Sequence, residues 1–310
     1  MSAVEVEQPV AAVETARRGY WRASARRFVR LKVPLAALCV LVLLGVVGGL
    51  AHRIVPGGWN PVQLGAGLQN APPTLHHGWA RWMGTDNVGR SVLQRTIWGL
   101  HFTLISGLFG ALLAAAIGLV MGSLAAVSRG FVEAVIMSIA DFTTTFPVLV
   151  TIIAAFAYLQ PLTETKAIIV FAAYLWAFVA RVVRARLSAL GSETFVEAAR
   201  ALGASELRVL VRHLLPNAAG ALIVATTSLF GQIVLIEATA EFFGFGINSL
   251  IRPTLGNLIA EATQSGIGNF NFLNLGWWTW TTPSVVLVLL LVSVNLLGDG
   301  LAAALDPRSR

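Results

Sequence analysis

The chain has 310 residues, of which 56% are hydrophobic and only 12% are charged, and its net charge is +7. Soluble domains are about a quarter charged, so this composition excludes an ordinary soluble domain and predicts an integral membrane protein. A single cysteine, Cys39, excludes an internal disulfide and a thiolate metal cluster, and no lysine follows a glycine as a P-loop requires.

Six apolar segments are long enough to cross a bilayer, which takes about 20 residues. They lie near 33–52, 102–127, 134–158, 167–187, 218–241 and 282–304, and they predict an all-α integral membrane protein with six transmembrane helices. A long basic start without a small-residue cleavage site favours an uncleaved first span over a signal peptide. The predicted division is a basic segment 1–32, a first helix 33–52, an outer loop 53–101, a five-helix core 102–304 and a tail 305–310.

The positive charges predict the orientation. With the amino terminus in the cytoplasm, the inside segments hold sixteen Lys and Arg residues and the outside loops hold six. The sixteen are seven before the first span, Arg129, six between spans four and five, and Arg308 with Arg310. Cytoplasmic segments carry such an excess, so both termini are predicted to be cytoplasmic. The charges are explained by orientation, and no nucleic-acid partner is expected.

Residues 188–217 interrupt the apolar segments with a charged, helix-patterned loop. Its apolar residues recur at helical spacing: Phe195, Ala198, Ala199, Leu202, then Leu207, Leu210, Val211 and Leu214. Gly203 predicts the end of a first helix, and Ser205 with Glu206 predicts the start of a second. Pro216 predicts a boundary before the fifth span. Spacing alone leaves two alternatives, a helix lying on lipid headgroups or a helix that docks on a cytoplasmic partner.

Several motifs, in chain order from about 84 to 308, carry a family resemblance. Glu197-Ala198-Ala199, Gly203 and Leu215-Pro216 resemble the EAA signature of bacterial ABC-importer permeases, with His213 in place of the usual Ile. Further runs resemble the dipeptide and oligopeptide (DppC/OppC-type) branch of that family: Gly84-Thr85-Asp86, Gly89-Arg90 and Arg95, Asp141 with Phe146-Pro147, Phe243 to Gly246, Gly256-Asn257, Asn295 to Leu301 and Leu305 to Arg308. Residues 53–83 and 264–280 are unlike the family.

The resemblance implies an ABC importer type I (MetI-like) permease fold in a bacterial inner membrane, with a cytoplasmic coupling helix between spans four and five. It also implies a second homologous permease, two ATP-binding subunits that hold ATP and magnesium, an extracellular substrate-binding protein and a peptide substrate. This chain would hold no cofactor, metal or catalytic residue, and would contact membrane lipid. The expected contacts with the ATPase are Glu197, Ala198, Ala199, Arg200, Gly203, Leu215 and Pro216. The residues expected to face the binding protein are Thr85, Asp86 and Arg90.

Four acidic residues fall in or near the predicted spans: Asp141, Glu237, Glu241 and Asp299. An ionised side chain at mid-bilayer costs at least ~2.5–3.5 kcal/mol, so each is expected to face a partner helix or a water-filled path. Glu237 and Glu241 are four residues apart and share a helical face. That face is a candidate contact for a peptide amino group near the outer end of span five. A helix-terminal or interhelical hydrogen bond is expected for Asp299.

The sequence disfavours two other classes of function. An intramembrane aspartyl protease would carry G-x-G-D, whereas residues 296–299 read Leu-Leu-Gly-Asp, and the zinc motif H-E-x-x-H is absent from the sequence. A secondary transporter would show two related halves with broken helices, and the sequence has no clear internal repeat. We therefore expect a transporter subunit rather than an enzyme. Nickel chelates, haem and glutathione remain alternative cargoes.

Overall fold

The structure, a computed structural model, describes residues 22–58, 68–76, 78–128, 130–247, 252–264 and 276–305. Residues 1–21 of the predicted basic segment and the predicted tail after Leu305 lie outside these ranges. Within them the chain is helical, apart from turns, irregular segments and one isolated β-bridge between Thr85 and Ser91. The elements, in order, are α1 (22–30), α2 (Lys32–Gly49), α3 (Ala51–Ile54), a 3₁₀ turn (Trp79–Arg81), α4 (Val92–Ser128), α5 (Phe131–Thr145), α6 (Val148–Tyr158), α7 (Glu164–Gly191), α8 (Thr194–Ala201), α9 (Glu206–Val209), a π turn (Leu210–Leu214), α10 (Leu215–Phe242), α11 (Leu255–Gln264) and α12 (Trp277–Leu305).

Five of the six predicted spans are single helices long and apolar enough to cross a membrane, and the third is broken. In place of one helix over 134–158, α5 and α6 meet at 85°. Phe146 has extended backbone angles (φ −87°, ψ 143°), and Pro147 lies outside both helices. Proline disfavours helical geometry at the residue before it and has no N–H to donate, so the helix ends there.

The predicted boundary at Pro216 coincides with the start of α10, but it is a change of helical register and not a break in the helix. Residues Glu206–Phe242 form one continuous helix, in which α9 passes into α10 through the π turn. The π turn has a wider hydrogen-bond register than an α turn, and within it the Leu215 N–H donates to the Leu210 carbonyl. The Asn217 side chain donates to the His213 carbonyl at 2.7 Å just beyond it. Pro216 therefore sits near the start of α10, where its missing N–H does not end the helix.

Three arginines counted between spans four and five lie inside α7. They are Arg181, Arg184 and Arg186, and α7 continues to Gly191. The apolar run that marked span four ends before the helix does, because arginine is compatible with helix and its long side chain can reach polar surroundings. These three charges therefore belong to α7, and the loop between α7 and α10 begins after Gly191.

Among the described residues, the most extensive helix contact is between α4 and α7. Glycines of α4 lie directly against the α7 backbone: an added Cβ at Gly122 would stand 2.5 Å from the Ala180 carbonyl oxygen, and one at Gly118 would stand 2.6 Å from Val179 Cβ. Glycine repeats of this kind let membrane helices approach closely. One apolar core grows from this contact, with buried residues on α4, α6, α7, α8, α9 and α10.

A second, smaller core joins the remaining long helices. Leu290 and Val294 of α12 pack with Val234 of α10, Leu44 of α2 and Leu100 of α4. At the other end of α12, a Cβ on Gly300 would stand 2.2 Å from the Pro34 ring, so α2 and α12 also touch. α2 thus packs against both α12 and α4.

We predict that Gly122→Ala destabilises the chain by about 1–3 kcal/mol, the usual effect of inserting a methyl group into a packed contact. The apparent melting temperature of the chain in detergent measures the change. Gly45→Ala in α2 is the matched control, because no atom lies within 4 Å of its added Cβ. Equal melting temperatures for the two variants would contradict the packing described for α4 and α7.

Candidate functional site

The loop between α7 and α10 is anchored in the main core by a few apolar side chains. Val196 of α8 and Val209 of α9 are fully buried, and Leu214 in the π turn is 4% exposed. All three belong to the cluster that contains Leu187 and Leu190 of α7. The loop is therefore packed against the ends of the helices it joins.

A glycine turn separates α8 from α9, as predicted. Gly203 has φ +81°, a conformation that side chains other than glycine rarely adopt. The Gly203 N–H donates to the Arg200 carbonyl at 2.9 Å, and the Ala204 N–H donates to the Ala199 carbonyl at 3.1 Å. These two bonds form a Schellman motif, which ends α8 with its last carbonyls satisfied. The Ser205 hydroxyl accepts from the Arg208 N–H at 3.4 Å, which confirms the predicted cap of α9.

Arg200 ties the two short helices to the end of α7. Its Nε and Nη2 donate to the two carboxylate oxygens of Glu206 at 2.9 and 3.2 Å, and its Nη1 donates to the Gly191 carbonyl at 3.1 Å. Paired arginine–carboxylate bonds of this kind fix orientation as well as distance. The hydrogen bonds to Glu206 raise the pKa of the Arg200 guanidinium above its ordinary value. The turn at Gly203 and the hydrogen bonds of Arg200 together hold α8, α9 and the end of α7 as one unit.

The loop carries four exposed apolar side chains, which we call the loop ridge. They are Phe195, Leu202, Leu207 and Val211, which are 40%, 89%, 69% and 56% exposed. These four residues belong to the helical apolar spacing of the loop, and their exposure is compatible with both predicted alternatives, contact with lipid headgroups or with a partner. Val196 and Val209 lie between these residues in the sequence and are buried in the core. The apolar periodicity of the sequence could not show which of these side chains are buried and which are exposed.

The other residues predicted to contact an ATPase lie on or beside the ridge. Glu197, Ala198 and Gly203 are exposed, whereas Ala199, Arg200, Leu215 and Pro216 are half-buried. Exposed contiguous apolar surface is typical of sites that bind another protein.

On the opposite end of the bundle, Asp86 organises a buried ion-pair cluster. Its Oδ2 accepts from Arg90 Nε at 2.7 Å and from Arg95 Nη1 at 3.1 Å. Its Oδ1 accepts from the main-chain N–H groups of Val88 and Arg90 at 3.1 and 2.8 Å. Arg95 Nη1 also donates to Glu261 Oε2 of α11 at 2.5 Å. The cluster therefore joins the outer loop to both α4 and α11, and it borders a cavity of about 90 Å³.

Thr85 connects the same loop to α12. Its hydroxyl accepts from the Ala71 N–H at 2.8 Å and donates to the Leu68 carbonyl, while its own carbonyl accepts from Trp278 Nε1 at 3.0 Å. The Gly84-Thr85-Asp86 run is thus a folded junction between segments that are distant in sequence.

The expectation that Thr85, Asp86 and Arg90 face a binding protein is corrected by their burial. They are 0%, 8% and 7% exposed, and their polar atoms are engaged within this chain. They position the outer loop and do not themselves form its surface. Glu261 belongs to this cluster and was not predicted, because a single acid in a polar outer segment carries no distinguishing pattern.

The two glutamates of α10 also face inward. Glu237 and Glu241 are 2% and 3% exposed, on the shared face that their spacing predicted. Ser106 Oγ of α4 donates to Glu237 Oε2 at 2.6 Å, and Thr254 Oγ1 donates to Glu241 Oε2. This face packs against α4 and the start of α11. It does not line a vestibule in this structure, and the predicted contact with a peptide amino group is corrected accordingly.

The two predicted aspartates of the spans are exposed. The Asp141 side chain is 69% exposed and stands 3.5 Å from Arg181 Nη1 of α7. Asp299 of α12 is exposed and makes no side-chain hydrogen bond to another residue that the structure describes, so the interhelical bond expected for it is not formed within these ranges. The sequence does not single out Arg181, because it is one of the six positive charges predicted between spans four and five.

Comparison with known proteins identifies what the chain resembles. The sequence model of the family described as binding-protein-dependent transport system inner membrane component matches residues 116–310. The chain is 32% identical to the oligopeptide transport system permease protein OppC of Mycobacterium tuberculosis, over 92% of this chain and 94% of that protein. It is 30% identical to the glutathione transport system permease protein GsiD of Pectobacterium atrosepticum, over 93% and 91%. Its fold is similar to that of a chain of the MetNI methionine ABC transporter in an inward-facing conformation, with a TM-score of 0.54 at 22% identity, covering 69% of this chain and 96% of that one.

We predict that Asp86→Asn loosens the outer loop, because it leaves the buried Arg90 and Arg95 without their carboxylate. Removing one partner of a buried ion pair costs about 3–5 kcal/mol. Limited proteolysis of the purified chain should cut the variant earlier near residues 68–91, and its melting temperature should fall. Asp299→Asn, the same change at an exposed aspartate, should leave both unchanged. Identical cleavage of the wild type and Asp86→Asn would show that the cluster does not hold the loop.

Proposed function

The chain belongs to the family of inner membrane components of binding-protein-dependent transport systems, and from that premise we propose that it forms half of the path by which an ATP-driven importer takes up short peptides. It is an ABC importer permease, a transporter subunit and not an enzyme. The peptide assignment is carried by the identity to an oligopeptide permease over nearly the whole of both chains.

The loop ridge is the proposed docking surface for the ATPase subunits. Four exposed apolar side chains stand on a unit braced by Arg200, Glu206 and the Gly203 turn. A rigid apolar surface loses little conformational entropy when a partner covers it, which favours binding. The chain has no P-loop lysine of its own. ATP and magnesium would therefore be held by two partner subunits, which bind this ridge and its counterpart on a second permease.

Movement of the docked loop would be transmitted to the path through α10. Because α9, the π turn and α10 form one helix over Glu206–Phe242, a displacement of the ridge moves the helix as well. Val196 and Val209 tie the loop to the core, so α7 follows. Closure of the ATPase subunits would in this way rock the two permeases between states open to either side.

We place the ridge and both termini in the cytoplasm. The excess of positive charge in the segments on that side supports this orientation. The outer loop and α11, joined by the Asp86 cluster, would then face an extracellular binding protein that delivers the peptide. Membrane lipid would surround the exposed apolar faces of α2 and α4.

A second candidate cargo is glutathione, since a glutathione permease is 30% identical over 93% of this chain. Glutathione is a modified tripeptide, so the two proposals share charged termini and peptide groups. They differ in the γ-linkage of the first residue, which a transport assay can separate.

The substrate class is tested with the complete transporter in proteoliposomes, using labelled di- to pentapeptides and glutathione. We expect ATP-dependent uptake of at least one α-linked peptide, competed by unlabelled peptides of similar length. Uptake of glutathione with no competition from α-linked peptides would select the second candidate. Uptake of neither would contradict a peptide importer.

We predict that Leu202→Asp in the loop ridge detaches the ATPase subunits. Burying an unpaired charge in an apolar contact should cost about 2 kcal/mol or more of binding free energy, as at an interface hot spot. Co-purification from mild detergent measures ATPase and second permease separately. Leu75→Asp is the control, because Leu75 is 76% exposed on the outer loop. Retention of the ATPase by Leu202→Asp at wild-type level would refute docking on the ridge.

A further inference from the structure

The break between α5 and α6 carries a polar cluster that neither the loop ridge nor the outer cluster involves. Arg181 Nη2 of α7 donates to Thr144 Oγ1 at 2.8 Å, and Arg181 Nη1 faces Asp141 Oδ1 at 3.5 Å. The hydroxyl of Tyr174, also on α7, donates to the Phe146 carbonyl at the break itself. We call Asp141, Thr144, Phe146 and Arg181 the break site.

The break site lies within the depth of the membrane. Phe146, bonded to Tyr174, is near the middle. Arg181 is about 25 Å along α7 from Glu164, in the half toward the α7–α10 loop. Tyr174 is about 15 Å along α7 from Glu164, at a rise of 1.5 Å per residue. Glu164 begins α7 and is paired with Arg252 at the outer end of the bundle. The hydrocarbon core of a bilayer is about 30 Å thick, so a point 15 Å inward is close to its centre.

The exposed side of the break site cannot face lipid. Residues 141, 142 and 144–147 are all exposed within this chain, and they include the carboxylate of Asp141. Non-helical backbone at membrane depth is tolerated only where protein covers it or where it lines a water-filled cavity. A carboxylate turned to lipid would cost at least ~2.5–3.5 kcal/mol in addition. Two independent features, the broken main chain and the exposed charge, therefore require that this face be covered by a partner protein or line a water-filled path.

The chemistry of the face is that of a cation acceptor. The last turn of α5 leaves main-chain carbonyls without intrahelical partners and presents the negative end of the helix dipole. The Asp141 carboxylate keeps free accepting capacity beside Arg181, because the guanidinium contacts only its Oδ1, at 3.5 Å. The closer bond of Arg181 is the one to Thr144. The carboxylate can thus accept a second cationic donor without displacing the guanidinium.

We propose that Asp141 binds the α-ammonium group of a peptide in transit, and that Arg181 positions the carboxylate by holding the last turn of α5. This inference rests on the proposed peptide import. It makes Asp141 a specificity-determining residue for a free amino terminus, and it gives the bend between α5 and α6 a role in substrate recognition.

The test compares uptake of trialanine and N-acetyl-trialanine by the complete transporter in proteoliposomes. The binding protein contributes equally to wild type and variants, so the informative quantity is the change in the ratio of the two uptake rates. Asp141→Asn should lower the preference for the free peptide about tenfold, the effect of losing one hydrogen bond to a charged group. Asp141→Glu should keep most of that preference.

Glu133→Gln is the matched control. Glu133 pairs with Arg184 Nε at 2.6 Å between the same two helices, so it tests loss of an α5–α7 ion pair away from the break. Its preference should equal that of the wild type. The double change Asp141→Arg with Arg181→Asp would restore a merely structural pair, but should leave the preference lost.

The outcomes separate the two proposals. An unchanged preference in an active Asp141→Asn transporter overturns the ammonium site and leaves peptide import standing, whereas a wild type that takes up no peptide contradicts the proposed function itself. If Asp141→Asn does not assemble, Phe142→Cys in a Cys39→Ser background provides a second test. A membrane-impermeant thiol reagent should label this cysteine, and trialanine should protect it better than the acetylated peptide. Absence of labelling, or equal protection by both peptides, would overturn the site.

Discussion

The contact between α4 and α7 is the interaction on which the rest of the structure depends. Glycines at Gly118 and Gly122 bring the two backbones together, and the apolar core that grows around them extends to Val196 and Val209 in the loop. Lipid tails are as apolar as the side chains they replace, so close packing and polar contacts, and not exclusion of water, hold membrane helices together. The loop ridge stands on this core, because Val196 and Val209 of the loop belong to it.

Acidic side chains that are buried in the bundle form hydrogen bonds within the chain, whereas the exposed ones behave differently. Asp86 is surrounded by donors, Glu237 and Glu241 accept hydroxyl hydrogen bonds, and Glu241 with Glu261 holds the two ends of α11. These contacts fix elements in place. Asp141 and Asp299 are different, since both are exposed: Asp141 contacts Arg181 at 3.5 Å, and Asp299 has no side-chain hydrogen bond to another residue that the structure describes. A charge that the chain leaves uncovered is better explained by a substrate or a second permease than by its own fold.

The apolar spans, the turn at Gly203 and the cap at Ser205 follow from local sequence, and the structure confirms them. Each depends on a property that acts within a few residues: hydrophobic length, the left-handed conformation of glycine, and a capping hydroxyl. What the sequence did not show depended on tertiary context. The apolar spacing of the loop did not indicate which side chains pack against the core, and the structure shows that Val196 is buried while Leu202 is exposed. Pro216 did not end its helix because a π turn precedes it, and the burial of Thr85 requires partners as distant as Trp278. Pro147 did break its helix, but only the structure shows the 85° bend.

If the loop and α10 move as one rigid body, the distance between a point on each should not change during transport. Spin labels at Leu202→Cys in the ridge and Leu235→Cys, an exposed site farther along α10, would be placed in a Cys39→Ser background of the assembled transporter. We expect one narrow distance distribution, the same without nucleotide and with a non-hydrolysable ATP analogue. A distribution that shifts or broadens with nucleotide would show that the loop flexes against α10, and would contradict transmission through a continuous helix.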